Sequence, residues 1–205
     1  MKEPDEGTGR WDREKELDMR TRDYEKQKRI KESMVRLILR DGLAGTSVAK
    51  IAKDAGVSPA TIYVYYDSKE AMLAEVFREC SHQTYDYLHQ MLQPEMDGRE
   101  LIRTIVESYY DYTVEHEATF SFVEQCSRCP GVAEEFAEED CCCEIFELIH
   151  EYQRQGILRQ YSDQNYAAVL FGPVKYIASS RACGSTDISE QLAELVQMLQ
   201  QLLLR

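Results

Sequence analysis

The feature that most limits what this chain can fold into is the stretch from Thr46 to Lys69, TSVAKIAKDAGVSPATIYVYYDSK. Thr46 or Ser47 can cap a helix there, because a short side-chain oxygen accepts one of the backbone N–H groups that a first turn leaves unpaired. Val48, Ile51, Ala52 and Ala55 then recur at helical spacing. Gly56 ends that helix where a left-handed residue is needed, a conformation glycine adopts without strain. Ser58 caps a second helix, and Pro59 occupies its first position, where a missing N–H costs nothing. Ile62 and Tyr66 are four apart and can both face inward, which leaves Thr61, Tyr63, Val64 and Tyr65 to point elsewhere. Two short helices around a tight turn predict a helix-turn-helix, whose second helix lies in the major groove of DNA.

The residues around that turn also carry a family resemblance. Thr46-Ser47-Val48, Ile51-Ala52, Ala55-Gly56-Val57-Ser58, Thr61-Ile62-Tyr63, Tyr65-Tyr66 and Ser68-Lys69-Glu70 resemble the DNA-binding domain of the TetR family of transcriptional regulators. The preceding segment fits as well, with Ile30, Ser33, Met34, Leu37 and Ile38 before Gly42. The resemblance runs from Lys28 to Leu73; beyond Leu73 it extends only to length and helical character. It implies a homodimer that reads a palindromic double-stranded DNA operator, acting as a repressor released by a small-molecule effector.

Composition has to be reconciled with DNA binding, since the formal net charge is −13. Tyr24 to Lys69 holds nine Lys/Arg and five Asp/Glu, a net of +4, whereas residues 76–205 hold nine and 22, a net of −13. A basic reading head on an acidic body therefore stands behind the acidic total. No apolar run approaches the ~18 residues that a membrane helix needs. The charged N-terminus lacks an apolar signal core, so a cytoplasmic location and no membrane partner are expected. Seven cysteines at irregular spacing in a chain of 205 residues point to reduced thiols, not a disulfide framework.

Taken in order, residues 1–23 are a charged extension expected to be flexible, with Gly7, Thr8 and Gly9 opposing an early helix. The alternative is an arm that touches DNA through Arg10, Arg13, Arg20 and Arg22, against which the interleaved acids count. Residues 24–70 form the helix-turn-helix domain, opened by a helix from Tyr24 to Arg40. Residues 71–205 form a helical effector-binding and dimerisation domain. Helices are expected from Ser68 towards Leu92, over Arg99–Glu115, Ala118–Cys126, Val132–Gln155, Asp163–Cys183 and Ile188–Leu204. Gly172 and Pro173 should bend the penultimate one. No strand pattern or internal repeat is visible. The expected fold is all-α: an N-terminal three-helix DNA-binding domain and a C-terminal helical domain, about nine helices in total.

Candidate DNA-contacting residues are Thr46, Ser58, Thr61, Tyr63, Tyr65 and Lys69. The resemblance implies backbone contacts by the tyrosine and lysine positions; the plain alternative is that Tyr63 and Tyr65 cover the small core. The recognition helix has no Lys or Arg between Ser58 and Tyr66, so readout is expected from Thr61, the methyl groups of Ala60 and Val64, and DNA shape. The last two helices carry broad apolar stripes that complete the protomer core or, as the resemblance implies, form a four-helix dimer interface through Ala168, Phe171, Leu192, Leu195 and Leu199.

The resemblance also implies a ligand cavity, for which Tyr85, His89, Tyr109, Tyr112, Phe120, Phe146 and Ile149 are candidates; aromatics at helical spacing are more often core than ligand box. Asp111 or Glu147 beside these rings suits a lipophilic or cationic aromatic ligand over a phosphorylated or acyl-CoA one. Cys126-x-x-Cys129 with Cys141-Cys142-Cys143 has a spacing that suits metal or redox sensing. Consecutive helical residues point ~100° apart, however, so one metal cannot readily take all three. No metal or cofactor is expected. No nucleophile–His–acid arrangement or phosphate loop is present in the sequence, which argues against an enzyme, a thiol enzyme included.

Overall fold

The computed structural model describes residues 8–93, 95–127, 143–180 and 187–205. Among them nine helices occur: α1 Thr8–Gly45, α2 Val48–Ala55, α3 Pro59–Tyr65, α4 Lys69–Met91, α5 Gly98–Glu115, α6 Glu117–Ser127, α7 Cys143–Arg154, α8 Asp163–Ser180 and α9 Ile188–Leu203. The chain divides into two compact units, residues 1–76 and 77–205.

In the first unit, α1 packs on α2 and α2 on α3. Ile30, Met34, Leu37 and Ile38 of α1 are buried, as are Ile51, Ala52 and Ala55 of α2, Ile62 of α3, and Tyr66. Ser47 caps α2, its Oγ accepting from the Lys50 N–H at 3.4 Å. Gly56, at φ 69°, closes the helix while the Val57 N–H reaches back to the Ala52 carbonyl at 2.9 Å. Ser58 caps α3 by accepting the Thr61 N–H at 3.1 Å. Gly42, at φ 74°, interrupts α1 where the sequence placed its end.

The start of α1 differs from expectation: the helix begins at Thr8, not near Tyr24. Gly9 costs a helix ~1 kcal/mol relative to alanine. Against that, the downstream helix supplies the nucleus, so each added turn gains bonds without a new nucleation cost.

In the second unit α5 is central, packing on α6, α8 and α9. Its residues Leu101, Ile102, Ile105, Val106 and Tyr109 join Leu88 of α4, Ile145 and Ile149 of α7, Tyr166, Leu170, Phe171 and Val174 of α8, and Leu195, Val196, Leu199 and Leu203 of α9 in one core. The chain end straps this core. Arg205 N–H bonds to the Ile157 carbonyl at 3.1 Å, and Arg159 N–H to the Leu203 carbonyl at 2.9 Å. Gly98 permits the approach: a Cβ there would lie 2.6 Å from Ile157 Cγ2 and 2.7 Å from Leu204 Cδ2. Buried Gln200 is satisfied across the same junction, accepting from Arg99 at 3.3 Å and donating to the Arg99 carbonyl at 2.9 Å. Pro173 lies within α8. The expected start of α7 at Val132 and the expected end of α8 at Cys183 fall outside the described residues.

Candidate functional site

The outer face of α3 is the most distinctive surface of the first unit. Tyr63 is 57% exposed and Val64 76%, although both are large and apolar. Ala60 beside them is exposed too, and Thr61 is half-buried. Ile62 and Tyr66 hold the opposite face in the core, so the helix cannot rotate to hide the outer residues. Ser58 Oγ and Thr61 Oγ1 lie 2.9 Å apart at its exposed N-terminus. These groups suit base edges and thymine methyls in a groove.

The remaining candidates behave differently. Thr46 is buried, and its hydroxyl donates to the Gly42 carbonyl at 2.9 Å. It fixes the turn between α1 and α2, and its hydroxyl is not presented to a ligand. Lys69 is half-buried, with Nζ donating to the Leu43 carbonyl at 2.8 Å. Tyr65 is half-buried, and its hydroxyl donates to Asp23 Oδ1 at 2.8 Å. Burial first, and Asp23 second, raise the Tyr65 pKa, so the phenol stays protonated and remains a donor. Asp23 as its partner was invisible in the sequence, because the contact depends on α1 extending upstream of Tyr24.

Several cations of this unit are tied to acids. Arg36 reaches Asp54 at 2.8 Å and Ser33 Oγ at 3.0 Å. Arg40 holds Asp41 at 2.8 and 3.0 Å, while Lys50 approaches the same carboxylate at 3.4 Å and donates to the Gly45 carbonyl at 2.6 Å. The Arg40 hydrogen bonds, with a smaller contribution from Lys50, pull the Asp41 pKa down to about 2. Lys31 pairs with Glu75 at 2.8 Å. Lys28, Arg29 and Lys53 are exposed. The exposed surface therefore combines cationic groups with an apolar, hydroxyl-bearing helix.

The proposed effector residues of the second unit separate into groups. Tyr109 lies 4.8 Å from Phe171 and 6.2 Å from Phe120, centroid to centroid, and Tyr85 lies 6.2 Å from Phe171. Burial, then Tyr85 and Glu124, raise the Tyr109 pKa. Tyr112 belongs instead with His116, at 4.6 Å, and Tyr87, at 5.3 Å. Ile149 is core, and Phe146 packs against that core. His89 is exposed and lines an open cleft of about 510 Å³ with Leu92, Glu144, Glu147, Glu151 and Arg154, its Nδ1 being 3.4 Å from Glu144.

The proposed dimer residues are also redistributed. Phe171, Leu195 and Leu199 are buried inside the protomer, and Leu192 packs against the same core. Ala168 is exposed. The outward faces of α8 and α9 instead offer Tyr176, 74% exposed, Met198, 64% exposed, and Leu202. Ala168, Gly172 and Tyr176 recur every four residues, and Met198 and Leu202 are four apart, which is the sequence signal for this second stripe.

Among the cysteines, Cys80 and Cys126 are buried thiols. Cys129, Cys141 and Cys142 lie outside the described residues. No group of His, Cys, Asp and Glu able to hold a metal occurs among the described residues. Among them, no helix is long and apolar enough to cross a membrane.

Comparison with known proteins agrees with this geometry. Residues 32–76 match the family model for bacterial regulatory proteins of the tetR family. A fatty acid metabolism regulator protein of Bacillus subtilis is 30% identical over 90 residues, 42% of this chain and 46% of that protein, so the match spans about half of that relative. An uncharacterized HTH-type transcriptional regulator of Haemophilus influenzae is 23% identical over 166 residues, 78% of this chain and 86% of the relative. The crystal structure of a TetR family transcription regulator from Marinobacter aquaeolei VT8 superposes with a TM-score of 0.76 at 25% identity, covering 90% of this chain and 98% of that one. The segment that carries α2 and α3 thus matches the DNA-binding domain of the tetR family, and the fold that carries it is similar to that of TetR family transcription regulators.

Proposed function

We propose that this regulator is a cytoplasmic homodimeric repressor that binds a palindromic operator and leaves it when a small lipophilic or cationic aromatic ligand enters the second unit. The observation that carries the DNA part is the exposure of Tyr63 and Val64 on a short helix pinned by Ile62 and Tyr66. Surface of that kind gains by being covered, and a major groove matches its size and chemistry. Ser58, Thr61, Tyr63 and Val64 would meet bases and sugars, and Tyr65 and Lys69 would meet phosphate. Two such heads about one helical turn apart would read the two halves of a palindrome.

Dimerisation is supported by the outward apolar stripe of Ala168, Tyr176, Met198 and Leu202 on α8 and α9. Release would be a population shift: the ligand favours a conformation whose two heads are wrongly spaced for the operator. The aromatic group of Tyr85, Tyr109, Phe120 and Phe171 supports a lipophilic or aromatic ligand. The name of the Bacillus subtilis relative supports the lipophilic part. The net charge of −13 on residues 76–205 supports a neutral or cationic ligand over an anionic one. Both thiols whose side chains are described, Cys80 and Cys126, are buried, which favours packing over sensing.

The test is a thermal-shift screen over lipophilic cations, neutral aromatics and acyl-CoA esters, followed by operator binding with each compound that stabilises. Stabilisation with release by a cation or neutral aromatic is expected. Stabilisation and release by acyl-CoA esters alone would overturn the ligand class while leaving the repressor reading in place.

A further inference from the structure

Tyr65 ends α3, and its hydroxyl donates to a carboxylate from α1, Asp23 Oδ1, at 2.8 Å. The Lys26 ammonium lies 3.5 Å from the same oxygen. The two donors belong to the unit that binds DNA, and their shared acceptor is an anion. A phenol has one proton to donate. While Asp23 holds it, a phosphate oxygen cannot. Lys26 is likewise partly neutralised, and the carboxylate itself repels the duplex. The Asp23 side chain is 58% exposed and that of Lys26 43%, so water screens the contacts and they can exchange acceptors.

We propose that Asp23 is a positioning residue that limits operator affinity: it holds the Tyr65 hydroxyl and the Lys26 ammonium, and DNA binding transfers both donors to phosphate oxygens. The inference rests on the assignment of Tyr65 to the DNA-facing surface. It makes the upstream part of α1 a determinant of binding strength through the acceptor it supplies, without requiring it to touch DNA. Because phosphates carry no sequence information, the restraint acts on specific and non-specific binding alike.

The experiment compares the full-length wild type with Asp23→Asn, Asp23→Glu, Tyr65→Phe and the Asp23→Asn/Tyr65→Phe double variant. Affinity is measured across a salt series for a duplex selected from randomised DNA and for an unrelated duplex. Asp23→Asn should bind both duplexes about three- to tenfold more tightly. Its log–log salt slope should steepen by about 0.9 as Lys26 is released to a phosphate, a change that a merely structural residue would not produce. Asp23→Glu should restore wild-type affinity and slope. In the Tyr65→Phe background the gain should fall, since the phenol proton is gone. Unchanged or weaker binding by Asp23→Asn, or a gain of full size in the Tyr65→Phe background at unchanged slope, overturns the proposal. A wild type that binds its selected duplex while Asp23→Asn shows no gain removes this restraint alone. A wild type that binds neither duplex removes the DNA-facing assignment and the restraint together.

Discussion

The Lys69 ammonium has three protons, and the Leu43 carbonyl takes one of them at 2.8 Å. The side chain is thereby held in one orientation with donors to spare, which is how a lysine is preorganised for a phosphate. Lys69→Ala should weaken binding about equally for all DNA sequences and lower the salt slope by about 0.9, read from affinities over a salt series. A wild-type slope in that variant would reduce Lys69 to a strut between α4 and the turn before α2. Tyr63→Ala removes an exposed ring, so operator affinity should drop while the melting temperature stays within a degree or two of wild type.

Asp41 offers a prediction in pH. Its carboxylate is held at about 2, against an ordinary 3.8, chiefly by the Arg40 guanidinium. A depressed folded-state value means that the contact stabilises the folded unit above 3.8 and that the contribution fades as pH falls through about 2. An NMR titration of the Asp41 side-chain carbonyl should show the low midpoint in the wild type and a rise towards 3.8 in Arg40→Ala; an unmoved midpoint would leave Lys50 as the controlling partner.

At the scale of elements, α9 has two apolar faces with different duties. Leu195 and Leu199 point into the core, so a glutamate at either buries an unpaired charge and should cost several kcal/mol, seen as loss of the folded protomer. Met198 and Leu202 point outward, so Met198→Glu or Leu202→Glu should keep the helical melt and split the proposed dimer in a sedimentation run. A wild type that sediments as a monomer at micromolar concentration would remove both the dimer and the palindrome. The junction of α5 with the chain end has its own probe. Gly98→Ala drives a Cβ against Ile157 and Leu204 and should destabilise the second unit by about 1–3 kcal/mol in a denaturant titration.

For the whole molecule, the acidic total conceals a division of labour. The −13 of residues 76–205 repels DNA, while the net +4 of Tyr24–Lys69 attracts it. Buried Cys80 and Cys126 lead to a further expectation: hydrogen peroxide or a chelator should leave operator affinity unchanged. Loss of binding that a reductant or zinc restores would turn the function towards sensing through Cys126, Cys129 and Cys141 to Cys143.

The helix-turn-helix was legible in the sequence because its signals are local. Ser47, Gly56, Ser58 and Pro59 act on backbone groups within a turn of themselves, and the spacing of Ile51, Ala55, Ile62 and Tyr66 states which face is buried. The all-α class and most helix bounds followed from the same periodicity. What only the tertiary structure decided is which of two apolar stripes on one helix faces the core. Phe171, Leu195 and Leu199 read as well for a dimer as for a protomer interior, because hydrophobicity carries no label for its partner. The same holds for Tyr109 and Tyr112, which join different aromatic groups although they are three residues apart on α5. Thr46 and Lys69 have the chemistry of phosphate ligands in sequence, yet the fold turns both towards nearby carbonyls, of Gly42 and Leu43. The Asp23–Tyr65 contact joins residues forty-two apart, and a bond across that distance depends on how helices pack, which no local signal encodes.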